Sequence, residues 1–438
     1  QFLTLSSQTV DKTQNVKNDT LYEIEITTNR ADCFSVYGIA RELSAVLPQY
    51  QIKASLQEIP AKKKEIPSVK KGLPLKVKIT KPSLCPRFTA LIFDQIKIKA
   101  SPRLVQDRLE KSSIRALNNV VDISNYLMLE LGQPMHTFDY DKIKGAKMIL
   151  REAKQGEKIK TLDREIRELP QGAIIIEDGD RRIVDLCGIM GGANSEVDEK
   201  TKRVLLFVQT YDPATIRRTC QTLGFRTEAA SRFEKGVDPE GVILAMKKAM
   251  VMFEKNVGAK VASDLIDLYP SPQKEKTVSL KLEKLNSLAG IEMKLSQTEE
   301  ILERLGFKIK TKKEKIIAKV PHWRYDDINQ AEDLIEEIVR IYGYQQVPSN
   351  LPQGKIPLTQ KDPLFEWEYP IKTALKNWGL FEVMSYSMIS QDQLEKTFFD
   401  PGEALKVSNP LSQEMVFMRP SLIPSLLTMV GENNQEEI

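Results

Sequence analysis

Pro321 to Tyr344 constrains this chain more than any other stretch; it reads PHWRYDDINQAEDLIEEIVRIYGY. The apolar run Ile316-Ile317-Ala318-Lys319-Val320 leads into it as a strand, an aromatic and basic turn follows, and then a helix. Asp327 is expected to N-cap that helix, with Gln330 three positions on completing a capping box. Asp333, Glu336, Glu337 and Arg340 fall at i, i+3, i+4 and i+7, so they share one face. Leu334, Ile338 and Ile341 take core spacing on another. Like charges at this spacing repel, and a cation or a basic partner would remove the cost. Two readings stand. One is a capped surface helix whose acids sit where the helix dipole favours them. The other is a divalent-cation site, since carboxylate oxygens suit Mg²⁺.

The chain has 438 residues, room for about three domains at roughly 150 residues each. Hydrophobic residues make up 41% and charged ones 28%, which fits an ordinary globular protein. The net charge of +4 is small beside 60 acids, so a nucleic-acid surface would have to be a local patch. No apolar run approaches the roughly 18 residues of a membrane span, and no signal-peptide pattern opens the sequence. Cys33, Cys85, Cys187 and Cys220 are far apart and form no CxxC pair, which argues against thiol zinc sites and a disulfide framework. A reducing cytoplasm fits. With His136 and His322 as the two histidines, a His-rich metal site and a hydrolytic triad are disfavoured. The first residue is Gln1, and an apolar helix pattern runs straight into GENNQEEI, so a fragment of a longer protein is expected.

Composition and periodicity divide the chain into blocks. Residues 1–50 hold a strand at Leu21–Ile26, a turn through Asn29-Arg30-Ala31-Asp32, and a helix with Val36, Ile39, Ala40, Leu43 and Val46 on one stripe. Residues 51–72 are rich in Lys, Pro and Gly and read as a linker. Residues 73–270 alternate strands with helices, an α+β pattern. The expected strands are Leu75–Ile79, Phe88–Ile98, Met148–Arg151, Ala173–Ile176, Arg182–Leu186 and Val204–Val208. The expected helices are Pro102–Lys111, Asp122–Leu131, Pro213–Leu223 and Pro239–Asn256. Residues 275–350 read as strand, helix, a helix capped by Ser296, a Lys-rich hairpin and the acidic helix. That order has a winged-helix flavour, and its wing suits phosphate contact. After Pro348-Ser349-Asn350-Leu351-Pro352, residues 357–438 carry a helix at Pro370–Trp378 and a strand at Glu382–Met388.

Several segments resemble one family. W-R-x-D-D-I followed by D-L-I-E-E-I-V-R-I-Y-G-Y resembles the B5 domain of bacterial-type phenylalanyl-tRNA synthetase beta subunits. N-N-V-V-D-I-S-N-Y, G-Q-P-M-H-T-F-D, G-I-M-G-G and R-T-E-A-A-S-R-F-E-K-G-V-D-P resemble its B3/B4 domain, which hydrolyses mischarged tyrosyl-tRNA. I-T-T-N-R-A-D-C-F-S-V-Y-G-I-A-R-E resembles the second half of the first, B1-like domain. The resemblance implies an α+β multidomain chain: a B1 remnant at 1–50, a linker at 51–72, a mixed α/β B3/B4 editing-like domain at 73–270, a B5 domain at 275–350, and the start of an inactive class II synthetase-like core at 357–438.

The resemblance also implies a function and its residues. The intact enzyme would be an α2β2 ligase joining phenylalanine to tRNA(Phe) with ATP and Mg²⁺, with the chemistry on the alpha subunit. Asp327, Asp333, Glu336 and Glu337 would hold Mg²⁺ shared with alpha. His136, Gly191, Thr227 and Ala229 match editing-pocket positions. The sequence departs from the family pattern at Phe207, which stands in V-L-L-F where V-L-L-E is expected. A phenyl ring cannot accept a phenolic hydroxyl or orient water, so weakened editing is expected. A free-standing editing hydrolase and a non-catalytic RNA-binding scaffold are the alternatives.

Overall fold

In a computed structural model, the described residues are Thr4, 8–16, 19–351, 354–355 and 362–434. They belong to two compact units, Gln1–Asn350 and Leu351–Ile438. The expected start of the last block, at residue 357, lies outside the described residues.

The first unit opens with a hairpin, β1 (Thr9–Val16) antiparallel to β2 (Asp19–Glu25). Helix α1 (Val36–Val46) forms where a helix is expected, but its buried face is Gly38, Glu42, Ala45 and Val46, while Val36 and Ala40 of the expected stripe are exposed. The Ser35 hydroxyl caps it by accepting from Gly38 N at 2.9 Å. The middle of the unit runs β3 (Lys76–Ile79), β4 (Phe88–Asp94), α2 (Arg103–Lys111), α3 (Val121–Leu131), β5 (Met135–Asp139) and β6 (Lys147–Glu152). It continues through β7 (Lys158–Lys160), β8 (Ile166–Glu168), β9 (Ile174–Glu177), β10 (Ile183–Leu186), β11 (Met190–Gly191) and β12 (Val204–Gln209). It closes with α4 (Pro213–Leu223), α5 (Glu228–Phe233), α6 (Gly241–Met252), β13 (Lys260–Val261) and β14 (Ile266–Leu268).

These strands build two large sheets. One has the order β11-β10-β9-β6-β3; the other is β13-β4-β12-β5, with β14 also on β4. Alternation along β4 and β12 sorts their side chains into two layers. Phe88, Ala90, Ile92, Leu205 and Phe207 face the first sheet. Leu91, Phe93, Val204, Leu206 and Val208 face helices α3 and α6. Both strands are therefore apolar on both faces, which is why they read as unbroken hydrophobic runs.

The end of the unit holds β15 (Thr277–Lys281), α7 (Leu282–Ala289), α8 (Leu295–Arg304), the hairpin β16 (Lys308–Lys312) with β17 (Lys315–Lys319), and α9 (Ala331–Tyr342). Its core gathers Leu280, Leu302, Ile316, Leu334 and Ile338, and Ala45 and Val46 of α1 complete it. Two caps differ from expectation. Helix α8 starts one residue before Ser296, with Gln297 Oε1 accepting from Lys294 N at 3.2 Å. Helix α9 starts after Gln330 rather than after Asp327, and the side chain that reaches back is Asp333, accepting from Gln330 N at 2.9 Å. Asp327 cannot serve as the cap because its carboxylate is held by Arg324 and Asn29.

The second unit comprises α10 (Pro363–Asn377), β18 (Met388–Ile389), α11 (Gln391–Lys396), β19 (Phe417–Met418) and α12 (Ile423–Asn433). Helix α10 begins seven residues before the expected Pro370, because Asp362 caps it by accepting from Leu364 N at 2.9 Å and Pro363 suits its first turn. The expected strand at Glu382–Met388 does not form. Only Met388 of that run pairs, opposite Met418, and most of the others are exposed. The unit's core is small: Ile389, Leu394, Val416 and Phe417.

Candidate functional site

Between the two large sheets, β5 brings His136 directly opposite Phe207 of β12. Their rings meet edge-on with centroids 5.7 Å apart. Phe207 is fully buried, lies 4.8 Å from Phe138 and stacks on Phe88 at 5.6 Å. The residue standing at the expected carboxylate position is thus the centre of an aromatic stack. Gly191 comes from the facing sheet. A Cβ there would lie 2.3 Å from His136 Nε2, so only glycine lets this backbone meet the imidazole. Burial drives the His136 pKa down to about 4, so the ring is neutral at pH 7.

Thr227 and Ala229 come from the start of α5. The Thr227 hydroxyl caps that helix, accepting from Ala230 N at 3.2 Å, and donates to Ile189 O at 3.0 Å. That second bond ties α5 to the chain segment carrying Gly191. Ala229 packs half-buried against the inter-sheet core. The fold therefore brings His136, Gly191 and Phe207 into one contact group and fastens Thr227 beside it. A neutral imidazole can accept a proton or a hydrogen bond, but Phe207 offers no polar atom.

One residue of this layer escapes a reading by sequence pattern. Asp185 lies opposite Gly191 in the β10–β11 register and opposite Ile176 in β9, so it shares their face. It is almost completely buried, and no ion pair reaches it among the described residues. Burial pushes its carboxyl up to about 8. The signal was a lone acid in the apolar run Ile183-Val184-Asp185-Leu186-Cys187.

A raised acid pKa has a definite linkage sign. Between about pH 4 and pH 8 the native state holds a proton that the unfolded chain releases, so stability falls as pH rises through that window. Each tenfold change in proton affinity is worth about 1.4 kcal/mol. Asp185→Asn is expected to remove most of this slope and to stabilise the protein at pH 9. Urea unfolding at pH 5 and pH 9 measures it; an unchanged slope would refute the assignment.

The four carboxylates around α9 fall into different environments. Glu337 is buried and accepts from Arg324 at 2.6 and 2.8 Å and from Arg340 at 2.9 and 2.5 Å. Burial opposes its charge, but Arg340 and Arg324 hold its pKa well below the carboxylate range. Asp327 accepts from Arg324 Nε at 2.7 Å and from Asn29 Nδ2 at 3.0 Å. Asp333 caps α9, accepting also from Asn329 N at 2.6 Å. Glu336 is exposed, with no hydrogen bond or ion pair among the described residues. Among the described residues no group of three or more His, Cys, Asp or Glu side chains could hold a metal ion. As a set of four, these carboxylates do not fit Mg²⁺, because the arginines already occupy Glu337.

The arginines continue into the first fifty residues. Arg340 also pairs with Glu42 of α1. Arg30 donates to Glu42 Oε2 at 2.8 Å and to Asp32 Oδ1 at 2.9 Å. Burial works against the Asp32 charge, but Arg30 prevails and holds its pKa at about 2. The four cysteines are unpaired and buried. Among the described residues no helix is long and apolar enough to cross a membrane.

Comparison with known proteins follows the same division of the chain. The B3/4 domain family matches residues 84–258, which span most of the two-sheet block. The tRNA synthetase B5 domain family matches 278–344, and the phenylalanyl tRNA synthetase beta chain CLM domain family matches 347–438. The phenylalanine–tRNA ligase beta subunit of Carboxydothermus hydrogenoformans is 38% identical, over 96% of this chain and 52% of its own length. That of Moorella thermoacetica is also 38% identical, with the same coverage. The beta subunit of Halalkalibacterium halodurans is 36% identical over 95% of this chain and 51% of its own. The chain thus spans about half the length of these relatives. Relatives that align over nearly all of this chain carry one name, and the matched domains succeed one another in the order of the folded blocks: the chain belongs to the family of phenylalanine–tRNA ligase beta subunits.

Proposed function

We propose that this chain is part of a beta subunit that supports ATP-dependent attachment of phenylalanine to tRNA(Phe). The chemistry would be carried on the alpha subunit of a cytoplasmic α2β2 enzyme. The observation that carries this reading is the unbroken succession of B3/4, B5 and beta-chain domains along one polypeptide. That succession also disfavours a free-standing editing hydrolase, which would need the two-sheet block alone.

The surface of the second unit supports a docking role. Phe365, Trp367, Trp378, Phe381 and Met384 are each at least 69% exposed. Side chains of this size on display mark a surface that other protein covers in the intact assembly. The β16–β17 hairpin shows Lys308, Lys310, Lys312, Lys313 and Lys315 to solvent, as a phosphate-contacting surface would. The intact enzyme would use ATP and Mg²⁺. In this chain Glu336 and the second oxygen of Asp333 are the carboxylate groups left open toward a cation.

The two-sheet site would be a weakened editing pocket. His136 can accept a proton or orient water, while Phe207 withholds the polar partner that would favour a hydroxylated side chain. The test is reconstitution. The intact polypeptide, co-expressed with its alpha subunit, is expected to co-purify with it and to make phenylalanyl-tRNA dependent on phenylalanine and ATP. A stable complex that makes none would overturn the ligase reading.

A further inference from the structure

We infer that Glu337 is not a cation ligand but the hub of a buried ion network that fastens α1 to α9, making residues 27–50 part of the B5 fold. The inference stands on geometry within this chain and does not depend on the ligase reading.

A carboxylate offers about four lone-pair sites. At Glu337 all of them are used. Oε1 accepts from Arg324 Nη2 at 2.8 Å and Arg340 Nε at 2.9 Å, and Oε2 accepts from Arg324 Nη1 at 2.6 Å and Arg340 Nη2 at 2.5 Å. Both guanidinium groups engage the carboxylate in forked pairs, an arrangement that fixes orientation as well as charge. A Mg²⁺ ion binds carboxylate oxygens at about 2.0–2.1 Å and demands near-octahedral geometry. It would have to displace at least one arginine and then sit beside two buried positive charges. Occupation by the arginines and by a dication are mutually exclusive.

The network extends beyond α9. From Arg340 it passes to Glu42, from Glu42 to Arg30 at 2.8 Å, and from Arg30 to Asp32. Arg41 closes on Asp32 at 3.4 Å, and Asp327 on Arg324. Arg30, Arg41, Arg324 and Arg340 thus face Asp32, Glu42, Asp327 and Glu337, and the charges cancel. The side chains of Arg30, Glu42, Arg324, Glu337 and Arg340 are each 4% exposed or less. Buried charges persist only when paired, and the loss of one partner leaves the rest uncompensated.

Apolar packing gives the same connection. Ala45 and Val46 of α1 sit in the core with Leu334, Ile335 and Ile338 of α9. Arg41 stacks over Trp323, its guanidinium carbon 4.2 Å from the ring centre. Asn29 reaches Asp327. Helix α1 is therefore a fixed member of this fold, although the B5 family match begins only at residue 278.

Thermal unfolding of the complete enzyme, with and without Mg²⁺ and with EDTA, tests the inference. Glu337→Gln is expected to lower the transition of the B5 region by roughly 10 °C in EDTA. The shift that Mg²⁺ produces in the unsubstituted enzyme, whatever its size, should be retained in full by the variant. Failure of Glu337→Gln to fold, while the unsubstituted enzyme stays folded in EDTA, gives the same answer, because no metal is then present to lose. Loss of the Mg²⁺-dependent shift in Glu337→Gln, with or without a change in EDTA, would overturn the inference. Hydrogen exchange supplies a second readout: α1 amides should open together with α9 amides. Protection of α9 with α1 freely exchanging would also overturn it.

Discussion

Phe207→Glu is expected to do two opposite things at once. It should destabilise the two-sheet block by about 3–5 kcal/mol, the usual cost of removing a buried phenyl ring. The ring sits among Phe88, Phe138 and His136, so its removal empties the middle of an aromatic stack. The same substitution should raise hydrolysis of tyrosyl-tRNA(Phe) by the complete enzyme, because a carboxylate can accept the phenolic hydroxyl that Phe207 cannot. It should also raise the His136 pKa from about 4, since a nearby negative charge favours the imidazolium. Chemical denaturation, a deacylation assay and an NMR titration of the imidazole read the three effects separately. A stable variant with unchanged deacylation would mean that Phe207 is not what limits the site.

Glu42→Ala should cost a similar amount for a different reason. Glu42 is buried and lies between Arg30 and Arg340. Its removal leaves two guanidinium groups facing each other with half their compensation gone, a loss of about 3–5 kcal/mol. The effect should persist at high salt, because a buried network is screened far less than surface pairs. A loss below about 1 kcal/mol in urea unfolding, the range of exposed ion pairs, would contradict the burial of this network.

What the sequence revealed was what lies close along the chain. The presence of α1, the span of α4 at Pro213–Leu223 and the apolar run of β12 follow from local spacing and appear as expected, although α1 buries Gly38, Glu42, Ala45 and Val46 rather than the whole expected stripe. What it hid depends on partners far away. Strand β5 escapes periodicity because Met135–Asp139 is short and follows Gly132-Gln133-Pro134; its strand character comes from pairing with β12. The i, i+3, i+4, i+7 spacing does gather Glu337 and Arg340 on one side of α9, but whether Glu337 is met by a metal cation or by arginines is not a local property. Glu42 lies 298 positions from Arg340, and no spacing rule spans that distance. Asp185 is a single acid in an apolar strand, and a single residue has no period.

The candidate site was legible to a similar degree. The family resemblance, not residue type or spacing, pointed to His136, Gly191 and Thr227, and their meeting between the sheets is visible only in the fold. The packing then showed why Gly191 must be glycine and why Phe207 is more than an absent acid. It is the keystone of the stack that fills the space.

The central claim is that this family member keeps the architecture of the editing layer while Phe207 removes its acid. The most direct measurement is the single-turnover rate of tyrosyl-tRNA(Phe) hydrolysis by the intact, unsubstituted enzyme bound to its alpha subunit. The expected rate is close to that of spontaneous deacylation. Rapid hydrolysis, abolished by a substitution at His136, would contradict it.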